Sequence, residues 1–426
     1  MKISNKLETN MQRFEKLLRP DTNFDVVYRV IRVGGRNACI YFIDGFTKDD
    51  TLLRILQSFG SIKPEAFTID CRTYPARGVS EPEKDKVLRG SRDGFVETLV
   101  FNTALIRRRI RDPKMRVEIM NAGESSHTDI AICYMDGRVD EDLLAKIKGR
   151  IEKLHVDALT MNQESLAECI YPHKWYNPFP KFRFSERPDT AAASILEGNI
   201  IILVDNSPSA MILPSSIFDI IEEADDYYFP PITGTYLRLS RMLIFFLTLF
   251  LTPLWLLFMQ NPGWIPEWLA FIQVTDDVHV ALIFQLLILE FAIDGLRLAA
   301  VNTPSMLTTP LSVIAGIVLG EYSVKSGWFN SETMLYMAFV TIANYSQTSF
   351  ELGYALKFMR VMLLLLTAFF NLWGFIAGTV ISVLCLIFNK TIAGKSYIYP
   401  LVPFSFSELK KRLVRNRLPH EEKRES

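Results

Sequence analysis

The hydrophobic positions of this chain follow two regimes that change over at Arg241. Before it, apolar residues alternate with polar ones or come in short runs; after it, they merge into long stretches. Met242 to Met259 carries no charge over about eighteen residues, the length an α-helix needs to cross hydrocarbon. Further stretches cover 278–301, 306–322, 333–350 and 361–388, giving a membrane domain over 242–388 with five or six spans. The third contains a GxxxG, Gly316 and Gly320, whose default use is close helix packing. The fourth gathers Asn344, Ser346 and Gln347 at its end, and these need partners in protein or water. The last exceeds one crossing, and reads either as one tilted helix or as two arms broken near Asn371 and Gly374.

The first half reads as α/β. Ala38 to Gly45 and Ile130 to Gly137 resemble each other: in both, a β-rich run ends in Asp-Gly, so that Asp44 and Asp136 superpose. Acids follow each, then Leu52, Leu53, Ile55 and Leu56, or Leu143, Leu144 and Ile147, at helical spacing. A second strand precedes each, at Val26 to Val33 and Met115 to Met120. This predicts two related strand-turn-helix subdomains, 1–88 and 89–241, the second including the juxtamembrane region. Between them, Arg72 to Val87 is rich in Pro, Gly and charge, as a flexible connection would be. A helix is expected from Asp93 to Arg111, ending in Arg107, Arg108, Arg109 and Arg111. Those cations suit either the helix dipole or an anionic lipid or partner. A further strand at Asn199 to Val204, a turn at Asp205 to Pro208, a run at Met211 to Leu213 and a short helix near Ile217 to Ile221 lead to the membrane.

Composition narrows the function. The 47 basic and 47 acidic residues balance, which gives no bulk charge for nucleic acid. The five cysteines are dispersed without a CxxC pair, so free thiols in a reducing compartment are expected, with no disulfide framework and no zinc site. The N-terminus lacks an apolar h-region and reads as cytoplasmic. His127, His155, His173, His279 and His420 are scattered, and neither a Gly-x-Ser-x-Gly elbow nor a phosphate loop is present. No catalytic residue, metal ligand or cofactor is assigned, and the chain is not read as an enzyme.

The candidate chemistry lies in the second stretch, where Glu290, Asp294 and Arg297 are spaced as neighbours on a helix. Ionisable side chains at bilayer depth cost about 3 kcal/mol on insertion scales, so they usually line something polar. Three readings stand: an ion path, a self-satisfied ionic cluster, or a cluster at the cytoplasmic rim. Loop charge helps to orient the chain. Residues 260–277 lack Lys and Arg, whereas Arg238 and Arg241 precede the first span, and Lys357 and Arg360 precede the last. The tail, 389–426, is basic, which favours an even number of crossings with 361–388 doubling back, though five remain open.

Several passages resemble one family: Arg89 to Glu97 with Asn102 to Ile110, Tyr176 to Pro180, Ser185 to Ala193 continuing through Gly198 to Pro208, and Leu289 to Arg297. In these the chain resembles the GerA-type A subunits of bacterial spore germinant receptors. The resemblance implies a spore inner-membrane protein with a two-part cytoplasmic N-domain. It further implies a membrane domain that forms a ring-like homo-oligomeric channel releasing ions, among them monovalent cations, during germination. Other spore membrane germination subunits are the implied partners. Since a companion subunit senses the nutrient in receptor-type members, no germinant pocket is placed here. The short tail speaks against a direct receptor role more than against a channel role. Ser185, Glu186, Arg187 and Asp189, which lie between the α/β pieces and the first span, are candidates for juxtamembrane coupling or for a plain salt bridge. A non-conducting scaffold that assembles other subunits is the alternative.

Overall fold

The computed structural model describes residues 4, 6–33, 35–44, 81–82, 85–171, 175–277, 279–303 and 313–415. Helix α1 (Leu7–Leu18) precedes an antiparallel hairpin of β1 (Val26–Val33) and β2 (Arg36–Ile43). The helix expected from Leu52 and most of the connection from Arg72 lie outside the described residues. Where that connection is described again it is anchored: Ser185 and the Glu186 amide both donate to the Asp85 carboxylate.

The second unit is built on a five-stranded antiparallel sheet in the order β3-β4-β6-β7-β5. Its strands are β3 (Met115–Ala122), β4 (Thr128–Met135), β5 (Arg183–Ser185), β6 (Ile200–Val204) and β7 (Ala210–Leu213). Successive side chains on a strand point to opposite faces. Ile130, Ile132, Ile200, Ile202 and Met211 therefore pack on one side, with Leu143, Leu144, Ile147 and Leu166 of the helices over that face. Ala131, Cys133, Ile201, Leu203 and Ile212 pack on the other, with Ile106 and Ile195. Both faces are covered, which is why the strands read as continuous apolar runs. The covering helices are α2 (Leu99–Arg109), α3 (Glu141–Glu152), α4 (Gln163–Ile170) and α5 (Pro188–Leu196).

The two similar sequence segments form the second strands of the two hairpins. Each hairpin closes with the same bond: the Asp44 amide donates to the Asp25 carbonyl at 2.8 Å, and the Asp136 amide to the Lys114 carbonyl at 2.9 Å. α2 starts six residues later than its spacing predicts. Asn102 folds its amide back on the backbone of Val96, and Asp205 accepts from the Leu99 amide at 3.1 Å, so 93–98 stays outside the helix and the helix is capped from the neighbouring turn. Two of the cations at the basic end of α2, Arg107 and Arg109, are used within the fold. Arg107 pairs with the buried Asp25 through two bonds of 2.9 Å, and Arg109 meets Asp93.

After the short helices α6 (Ile217–Ile221) and α7 (Asp225–Tyr228), the second half is helical. α8 (Pro231–Gln260) and α9 (Leu282–Asn302) contain the first two predicted stretches. Of the third, Gly316–Tyr322 is a π-helix continued by a turn of α-helix, and the fourth is α10 (Ser331–Tyr345). α11 runs from Phe350 to Ile387 but is two helices: Asn371 has φ 52° and ψ −132°, and the chain reverses there. The arms are roughly 30 Å and 24 Å long at 1.5 Å per residue.

Glycines permit this reversal, because a Cβ at Gly374 would fall on the Leu366 carbonyl and one at Gly378 on the Leu363 side chain. Gly374→Ala should therefore cost about 1–3 kcal/mol as an overpacked contact. It would show as a lower thermal midpoint in detergent, and an unchanged midpoint would mean that the arms do not close there.

The returning arm delivers the tail to the sheet-bearing unit. Ile392 enters the core beside Leu143 and Ile147, Lys146 donates to its carbonyl, and the Ile217 amide donates to the carbonyl of Tyr397. The final helix, α12 (Phe406–Leu413), lies at the base of α8.

Candidate functional site

Glu290 and Asp294 project from one face of α9 toward the first arm of α11, which offers Arg360 and Lys357 three residues apart. The helices run antiparallel, so the pairs match in reverse order. Arg360 binds both Glu290 oxygens at 2.7 and 2.9 Å and donates to the Thr248 carbonyl of α8 at 2.7 Å. Pro253 lacks the amide hydrogen that would bond Leu249, which loosens the α8 carbonyl ladder beside Thr248. Lys357 binds Asp294, the Glu290 carbonyl at 3.0 Å and the Glu290 carboxylate at 3.4 Å. Two anions and two cations form a neutral cluster. Arg360 and Glu290 are buried, 2% and 4% exposed, while the Asp294 side chain keeps 34% of its surface.

Two sequence expectations change here. Arg297 does not complete a triad with Asp294; its guanidinium lies 4.6–5.3 Å from the rings of Tyr345, Phe350 and Tyr354, a cation–π setting. Lys357 and Arg360 are not charges flanking a span. α11 begins at Phe350 and encloses both, and their pairing with Asp294 and Glu290 takes them out of the loop-charge argument. Their spacing of three residues and that of four between the acids on α9 each set a pair on one helical face, and this was the signal available in the sequence. Gly316 and Gly320 have no heavy atom within 4 Å of an added Cβ among the described residues, so none of those residues packs on them.

At the base of the bundle the structure brings Ser185, Glu186, Arg187 and Asp189 together. Arg187 binds both Asp189 oxygens at 3.1 and 2.6 Å, the Asp85 carbonyl at 3.1 Å and the Ser91 carbonyl at 2.8 Å. Tyr228 of α7 donates to Asp189 as well, which ties the cluster to the element leading into α8. Burial alone would raise the Asp189 carboxyl; the bonds from Arg187 and Tyr228 outweigh it and hold the group below its ordinary value.

A second ring of charge, which sequence reading missed, surrounds the start of α8. Arg238 binds Glu222 and Asp226, Arg241 binds Glu223 and Asp226, and Arg412 of the tail binds Asp219 and Glu222. The acidic run at 222–226, followed by Arg238 and Arg241 one turn apart, was its visible trace. Between the two clusters lies a cleft of about 110 Å³, walled by Asp85, Arg187, Glu222, Thr348 and Phe350 among others. Phe350 is also the ring under Arg297, so the cleft adjoins the bundle. Thr348 donates to the Ile220 carbonyl across the same junction. Among the described residues, no three His, Cys, Asp or Glu side chains are grouped to hold a metal.

Comparison with known proteins adds identity to this geometry. Residues 59–426 match the sequence model described as Bacillus/Clostridium GerA spore germination protein. Stage V sporulation protein AF of Bacillus subtilis (strain 168) is 39% identical over 378 residues, 88% of this chain and 76% of that protein. Spore germination protein KA of the same strain is 29% identical over 354 residues, 82% of this chain and 64% of that protein, so the chain spans a little under two thirds of that relative. Among solved structures, the N-terminal domain of the A subunit of the Bacillus megaterium spore germinant receptor GerK3 covers 50% of this chain and 96% of its own. The identity there is 21% and the TM-score 0.36.

Proposed function

This chain belongs to the Bacillus/Clostridium GerA spore germination protein family, and we propose that it is an ion-conducting, oligomeric membrane subunit acting in spore germination. In this reading α8, α9, the segment ending at Lys325, α10 and the two arms of α11 make six passes of the spore inner membrane. The sheet-bearing unit and the tail then share the cytoplasmic side. What favours six is that Arg412 and Ile392 rejoin the unit from which α8 departs. The monovalent cation path runs past Asp294, and several copies complete it through faces such as that of Gly316 and Gly320.

The observation that carries the reading is a charged cluster roughly 15 Å from either end of the first α11 arm, counted along the helix from Arg360. One of its acids is sealed and the other is part-exposed. An ion pair so deep is costly unless it serves a polar path or fixes a packing. Glu290, bound by Arg360, holds the geometry; Asp294, restrained among the described residues by Lys357, is the acid available to ions. Nutrient sensing is left to other germination subunits.

The sealed Glu290–Arg360 pair also favours a second reading, a scaffold that gathers other germination subunits and conducts nothing. Cation flux through reconstituted protein carrying Asp294→Lys separates the two roles of this acid. Loss of cation preference is expected; flux and selectivity unchanged from the unmodified protein would remove Asp294 from the path.

A further inference from the structure

The end of the bundle farthest from the sheet-bearing unit is ringed by tryptophan. The chain leaves α8 through two short 3₁₀ turns, Pro262–Trp264 and Glu267–Ile272, each begun by or just after a proline that blocks continuation of the α-helix. In a 3₁₀ turn, residues three apart share a side. Trp268 and Phe271 therefore project together, 75% and 76% exposed, with Trp264 half exposed beside them.

The segment is fixed at both ends. Asn261 and Asn371 exchange side-chain bonds of 2.6 and 3.2 Å, which joins its start to the apex of the α11 hairpin. The Trp255 indole donates to the Ile272 carbonyl at 3.0 Å, which holds its finish. The exposed Trp373 lies two residues from that apex. Trp328 precedes α10, whose first turn also receives the segment, through Thr275 on Glu332. Large rings held outward on a braced loop, at one level of an apolar bundle, are not a soluble surface.

We propose that the Pro262–Ile272 segment and the hairpin apex lie in the headgroup layer of the far leaflet. There the rings rest on the acyl boundary and the indole N–H groups reach water and ester oxygens. Because 260–277 contains no Lys or Arg, the occupant is a zwitterionic interface as readily as an anionic one. The braced loop sets the depth of Asn371, and through the first α11 arm the depth of the Glu290–Arg360 cluster. This inference rests on the membrane reading of the helical half.

Tryptophan fluorescence of the full chain in phosphatidylcholine vesicles tests it, in a Trp175→Phe background that removes the 96% exposed tryptophan lying outside the helical bundle. Bromines placed high on the acyl chain should quench more strongly than bromines near its methyl end, and Trp264→Phe with Trp268→Phe should remove much of that shallow component. Quenching by an aqueous quencher instead, or shielding from both, would overturn the proposal. A Phe291→Trp reporter on the exposed middle of α9, in a chain whose other tryptophans are Phe, tests the membrane reading separately. Deep bromines should quench it whatever the loop does.

Discussion

Arg360→Met is expected to destabilise the helical bundle by about 3–5 kcal/mol, because it takes the two-pronged partner from the Glu290 carboxylate in an apolar interior and leaves it only the longer 3.4 Å contact with Lys357. The size follows from burial. An exposed ion pair contributes about 0–1 kcal/mol, whereas here both members are almost fully covered and the guanidinium uses its fork on both carboxylate oxygens while also binding Thr248. Adding Glu290→Gln should recover most of the loss, since replacing both charges removes the desolvation penalty together with the attraction. Lys357→Met should cost less, because Asp294 is a third exposed and water can solvate it. Thermal or denaturant unfolding in detergent reads all three, and a single variant no worse than the double would mean that Lys357 alone suffices to hold the Glu290 carboxylate.

Arg187→Met should open the junction at the base of the bundle rather than the whole fold. It leaves the Asp85 and Ser91 carbonyls and the Asp189 carboxylate short of donors at a buried site, at about 1–3 kcal/mol for each group left unsatisfied. Amide exchange should then quicken in 85–95 and 225–228 while the sheet strands stay protected. Arg187→Lys should restore only part, since an ammonium lacks the two-pronged geometry.

The pH response has a definite sign. Asp189 is held below its ordinary value, so the stability it contributes is complete above the unfolded carboxylate pKa and is lost as pH falls through the lower folded value. Removing Arg187 leaves burial to raise that carboxyl, so the loss should begin at higher pH. Exchange rates in 85–95, followed against pH in both proteins, check this.

The α/β half was legible in most of its strands because short β-rich apolar runs and Asp-Gly turns are local signals. The start of α2 was not, since its cap comes from Asp205, more than a hundred residues away. In the helical half, length and apolarity located the helices, and Asn371 with Gly374 marked the reversal. The acids of the candidate site were found because charge in an apolar run stands out. Their partners were missed for the opposite reason: Lys357 and Arg360 lie near the start of an apolar run, where cations usually mark a loop, and only the pairing of α9 with α11 shows them to be inside. Arg297 was misassigned because i,i+3 spacing offers a partner without obliging the side chain to use it. Three aromatic rings on neighbouring helices took it instead.

Efflux from potassium-loaded liposomes that contain this purified chain and no other protein decides between conduction and scaffolding. Potassium release that exceeds anion release, and that loses this preference in Asp294→Lys, is the expected result. Liposomes that hold the protein inserted in the six-pass orientation and yet stay tight to potassium would contradict a conducting role.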